Sequence, residues 1–201
     1  MLSQEVRIQR AWKRITEWLG ENTPRHAEAM NPGVDESVID AAEEEMPTAL
    51  VPAALRAWLL LNNGSTAKDV LDGRFYQPHQ DSIFLPGNNV FLDLRRVVDV
   101  YRDLLASGAD WQPQWIPFAQ KSDAPYGYFL DTGANSAQAP VMYFAEAALP
   151  QLAFPSLADF LEATADALEH RSGIRALGNR VQYGPVTDAG MLRWKRAETA
   201  S

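Results

Sequence analysis

The chain has 201 residues, 46% hydrophobic and 22% charged, which suits one globular domain, or one domain plus an extension, and is short for two. It has no cysteine, which excludes a disulfide framework, a thiol nucleophile, an iron–sulfur cluster and cysteine-ligated zinc. The net charge of −8 is uneven: residues 31–170 hold seven basic against twenty acidic groups, and residues 171–201 hold six basic against two acidic. An acidic body repels phosphate backbones, so nucleic acid is not an expected partner.

The opening MLSQEVRIQR is charged and has no apolar core of a signal peptide. No apolar run is long enough to span a membrane. The expected compartment is the cytoplasm.

Ile8, Ala11, Trp12, Ile15, Trp18 and Leu19 form one apolar stripe, which predicts a helix over 5–19 that stops at Gly20. Residues 20–34, with Pro24, Pro32 and Gly33, read as a loop. Asp35 is placed to cap a helix over 36–46, and Pro52 to open one over 52–62 that Asn63-Gly64 closes. Short aromatic-rich runs, Arg74–Gln77, Ser82–Leu85 and Asn89–Leu92, read as strands. Asp93 caps a striped helix over 93–106. Trp115–Phe118, Tyr126–Asp131 and Val141–Ala145 follow as strands, the last two joined by the loose connection TGANSAQAP. Ser156, with Asp159 three residues on, caps a helix over 156–169. Clustered strands favour an α+β fold with a sheet of five or six strands. Trp12, Ile15, Ile39, Leu55, Leu59, Val97, Tyr101, Ile116, Leu130, Phe160 and Leu161 are the expected core. Residues 171–201 are glycine-rich and weakly periodic, and read as a basic extension to a domain of residues 1–170, packed on the body or on a neighbouring chain.

No phosphate loop, dinucleotide fingerprint, nucleophile elbow or HExxH motif is present. His26, His79 and His170 are scattered, and His79-Gln80-Asp81 offers two ligands where a metal needs three or four. Carboxylates abound, but no spacing selects an acid/base pair. No catalytic, metal or cofactor residue is therefore expected. The run Glu43-Glu44-Glu45 reads as a solvated face, with Glu43 able to turn inward to a backbone group, or as a contact for a basic partner. Trp194, among charges in MLRWKRAE, is expected to fold back onto its own domain.

The segment VDESVIDAAEEEMPTALVPAALRAWLLLNNG resembles the opening signature of the Smi/Knr domain of the SUKH superfamily, through Ile39, Glu43, Pro52, Leu55, Trp58, Leu59 and Asn63-Gly64. WQPQWIPFAQ, YGYFLDT, PVMYFAE and SLADFLEATADAL are similar to its later strands and last helix. The resemblance covers about residues 5–170, and 171–201 have no counterpart in it. It implies a central, mostly antiparallel sheet surrounded by helices, with no shared catalytic residue. Many bacterial members resemble immunity proteins that neutralise toxins, often nucleases or deaminases; fungal members coordinate wall synthesis. The first reading is therefore a non-catalytic immunity protein for a basic toxin, the second a regulatory or scaffold protein, and the third a small hydrolase with a carboxylate pair. The sequence sets no oligomeric state.

The expected partner surface lies in the loops between 65 and 92 and around 121–131. It comprises Asp69, Asp72, Tyr76, Asp81, Asp123, Tyr126 and Tyr128, on one face opposite the basic tail. The competing reading is that the aspartates cap turns and the tyrosines pack the sheet. If the tail folds across this face, the face is screened or internal.

Overall fold

A computed structural model describes residues 2–46, 51–65, 80–107, 110–121, 124, 126–133, 138–145, 148–175 and 182–196. The expected strand at Arg74–Gln77 lies outside them. The fold is α+β. Six strands, β3 (Ile83–Leu85), β4 (Asn89–Phe91), β5 (Trp115–Lys121), β6 (Gly127–Asp131), β7 (Val141–Phe144) and β8 (Gln151–Phe154), form one sheet in chain order. Every neighbouring pair is antiparallel. A small sheet pairs β1 (Met30–Pro32) with β2 (Asn62–Ser65), and the C-terminal residues form a third, of β9 (Ile174–Arg175), β10 (Gln182–Asp188) and β11 (Met191–Arg196).

The helices are α1 (Gln4–Asn22), α2 (Pro24–Glu28), α3 (Glu36–Glu44), α4 (Ala53–Leu59), α5 (Leu94–Ala106) and α6 (Leu157–His170). Period-2 alternation aims Tyr128 and Leu130 of β6 at the helices and Phe129 at the other face, where it meets Trp111, Trp115 and Phe144. Every expected core residue is buried. The core centres on Trp58, stacked on Phe91 at 3.7 Å between centroids, with Trp12 edge-on at 5.7 Å.

Helices α1 and α6 run parallel, because contacts advance by seven residues on both. Arg7 binds Asp159 and Glu162, and Arg14 binds Asp166 and Glu169. Seven residues are about two turns, so each arginine meets the same face of α6. Asp93 Oδ1 accepts from the Arg96 amide at 2.9 Å and Ser156 Oγ from the Asp159 amide at 3.2 Å, so both expected caps form.

Four expectations need correction. Helix α1 passes Gly20 and ends at Asn22, because nothing at Gly20 requires a left-handed turn. The expected loop over 20–34 holds α2, opened by Pro24 at its first position, and β1. Asp35 flanks α3, but its side chain makes no capping bond. Asn63-Gly64 lies in β2 rather than closing α4. Asn63 Oδ1 accepts from the Leu94 amide at 2.7 Å, satisfying an orphan donor of α5. Gly64 has φ +72°, and a Cβ there would lie 2.4 Å from the Asp93 nitrogen. The pair thus serves α5, 30 residues downstream of it in sequence. Strand β8 was not expected, nor was the order in the tail: Ala189 (φ 48°) and Gly190 (φ 76°) form a two-residue hairpin turn between β10 and β11.

Candidate partner-binding surface

Glu36, Asp40 and Glu43 are spaced four and three residues apart, which puts them on one side of α3. That side meets Arg56 of α4. The guanidinium contacts Glu36 at 2.5 Å, Asp40 at 2.8 Å and Glu43 at 3.0 Å. Partial burial works against its charge, but the bonds it donates to the three carboxylates prevail and hold its pKa above the usual arginine value. Three carboxylates on one cation leave a local excess of negative charge. Glu36 and Asp40 carry it into solvent, with side chains 59% and 65% exposed.

The glutamate run divides by direction. Glu43 turns inward, where Oε1 also accepts from the Val51 amide at 2.7 Å. Glu44 is exposed, and Glu45 reaches α5 through Arg95 and Arg102. Leu60, exposed, follows Arg56 by one turn and Leu61 comes next, while Val38 projects from the opposite side of α3. Gly33 lies against the Leu60 carbonyl so closely that a Cβ would clash at 1.9 Å, which fixes the approach to α3 over the end of α4. The result is a surface of acidic and small apolar elements, a composition that fits a basic protein rather than an anionic ligand.

Asp69, Asp72, Tyr76 and Asp123 lie outside the described residues. Asp81 is buried, 8% exposed, and paired with Arg25 at 3.1 Å. Tyr128 is in the core against Phe118, Tyr143 and Phe160, and burial pushes its phenol pKa up. Tyr126 is half-buried against Phe144. Tyr143 and Phe144 alternate along β7, so the two tyrosines sit on opposite sides of the sheet. They do not converge on one face. Nor is the tail opposite: Arg193 of β11 donates to Gln80 at 2.9 Å, beside Asp81. The tail folds across this part of the body, as the competing reading allowed.

Other clusters are already committed. Asp166, Glu169 and His170 approach one another closely enough to suggest a cation site, but Arg14 holds both carboxylates. A depression of about 240 Å³ beside the start of α1 is lined by Ser3, Gln4, Glu5, Pro52, Ala53, Ala54 and Ala139, with Glu5 the one ionisable side chain among the described residues there. No helix among the described residues is long and apolar enough to cross a membrane.

The profile of the SMI1 / KNR4 family (SUKH-1) matches residues 33–163. The chain belongs to the SMI1 / KNR4 family. The SUKH-1 match begins just before α3 and ends within α6, so it takes in the acidic face and the whole six-stranded sheet but not α1 or the C-terminal sheet. No curated protein matches the chain.

Proposed function

We propose that this SUKH-1 chain is a non-catalytic protein-binding domain, an immunity protein that neutralises a basic toxin of the nuclease or nucleic-acid deaminase kind. The observation that carries the reading is the α3 face, where Glu36 and Asp40 stand in solvent around Arg56, with Leu60 exposed one turn beyond it. A toxin that grips nucleic acid presents lysine and arginine. Carboxylates fixed on a helix match that sign, speed encounter and reject acidic competitors, while the apolar neighbours supply desolvated area. Asp69, Asp72, Tyr76, Asp123 and Tyr126 carry the same chemistry, carboxylates and phenols, and remain in the proposed partner surface. Asp81 and Tyr128 are left out of it because they are buried.

The test is capture of the toxin encoded beside this gene, followed by association kinetics against salt. The double variant Glu36→Gln/Asp40→Asn is expected to slow association and flatten its salt dependence, with little change in the unfolding midpoint. Capture of a wall-synthesis enzyme and no toxin would favour the regulatory reading instead. Toxin binding with an unchanged rate and salt slope would remove α3 from the interface.

A further inference from the structure

His26, in α2, is fully buried. Its ring lies beside the main chains of Ile83 in β3 and Leu192 in β11. Neither ring nitrogen makes a well-formed hydrogen bond among the described residues. Burial pushes its pKa below the usual histidine value; Asp81 and the main chains of Ile83 and Leu192 pull the other way, and Arg25 adds to the depression. The charged groups that act on it are Arg25 from α2 and Asp81 from the single turn Gln80–Ser82; Arg193 of β11 is exposed on the other face of its strand from Leu192, and β3 offers none. Asp81 is already held by Arg25. A proton on His26 would therefore meet one cation and a carboxylate that this cation already pairs.

His26 also sits at the joint between the body and the C-terminal sheet. Leu192 and Trp194 are each 2% exposed. The Trp194 indole donates to the Phe84 carbonyl at 2.9 Å, and the Asn88 side chain clamps the Trp194 main chain with bonds of 2.9 and 3.0 Å. Few polar bonds join β11 to β3 and its turn, so docking depends on the apolar seat that His26 helps to form.

We infer that the C-terminal sheet is an acid-sensitive latch: protonation of His26 beneath Leu192 weakens its docking on α2 and β3 and frees residues 182–196 from the body. Release uncovers the β3 edge of the six-stranded sheet. The direction follows from linkage. With the sheet open, His26 titrates near its ordinary value of about 6.5. With it docked, the ring resists the proton. Docking is complete above that pH and weakens below it, by up to about tenfold per pH unit until the docked ring itself titrates.

Hydrogen exchange of the full chain between pH 7.5 and 5.0, corrected for intrinsic rates, tests this. Amides of β10 and β11 are expected to lose protection as pH falls while those of α5 keep theirs, and His26→Phe is expected to abolish the loss. Constant protection in the native chain, or an equal loss in His26→Phe, would overturn the latch. If that variant does not fold, the ring signals of the three histidines in the native chain decide. The latch requires that His26 titrate below the ordinary histidine value, with the Trp194 indole resonance shifting in step. Titration at or above the ordinary histidine value, or an unmoved indole, would overturn it.

Discussion

Glu43→Ala is expected to cost about 2–3 kcal/mol, and Glu43→Gln no more than about 1 kcal/mol. The difference arises because Glu43 does two jobs. Its Oε1 accepts from the Val51 amide at 2.7 Å and lies 3.0 Å from Arg56. Val51 is 5% exposed, so alanine strands a donor that water cannot easily reach; an unsatisfied buried amide costs about 1–3 kcal/mol. The ion pair adds little, because Arg56 keeps Glu36 and Asp40 and removing one of three crowded carboxylates relieves their repulsion. Glutamine keeps a carbonyl oxygen for Val51 and gives up only the charge. Urea unfolding followed by tryptophan fluorescence measures both variants, and roughly 2–4 °C of melting temperature accompanies each kcal/mol in a chain of this size. Equal losses for the two variants, or an alanine loss that vanishes in high salt, would refute the hydrogen-bond account. The signature glutamate thus ties the end of α3 to the start of α4 across residues 47–50.

Leu59→Ala, which empties a fully buried site at the end of α4, is expected to cost about 2–5 kcal/mol in the same assay. Ser156→Ala removes the cap of α6 and is expected to cost about 1 kcal/mol, with Ser156→Thr, which keeps the hydroxyl that caps the helix and donates to Asp159, recovering most of it. Burial alone would raise the Asp159 carboxyl, but bonds from Ser156 and Arg7 outweigh it and hold the group below the usual carboxylate range. Its contribution is thus complete above the ordinary carboxylate pKa and is lost as pH falls through the lowered one; Arg7→Met is expected to bring acid unfolding, followed by circular dichroism, to higher pH.

The parts legible from sequence were those governed by local periodicity and capping. The stripe from Ile8 to Leu19, the caps Asp93 and Ser156, and the inward turn of Glu43 each depend on spacings of three to eight residues. The parts that were not legible depend on distant partners. Asn63-Gly64 has the composition of a helix stop, and only the approach of Asp93 and Leu94 shows that it serves another helix. Strand β8 is four residues long, two of them exposed on the sheet's last strand, so it carries no alternation worth reading. The tail's glycines suggested irregularity, yet Ala189-Gly190 is a hairpin turn, and the flanking residues alternate only weakly because one face of β11 is buried and β10 is largely not.

Segment charge misled for a related reason. Four of the twenty acidic residues in the middle of the chain, Asp159, Glu162, Asp166 and Glu169, belong to Arg7 and Arg14, which lie in a segment that is nearly neutral by count. Asp81 is spent on Arg25 of that same segment. Charge summed along the chain therefore overstates what α6 and the turn before β3 present to a partner, and it conceals how far the carboxylates of α3 outnumber their cation. On α3 the ratio is three to one around Arg56, and the two best-exposed members point outward. Surface potential is set by what each charge is paired with in space. On that basis a basic partner approaching the described surface would be drawn to α3 before the loops that composition alone had favoured.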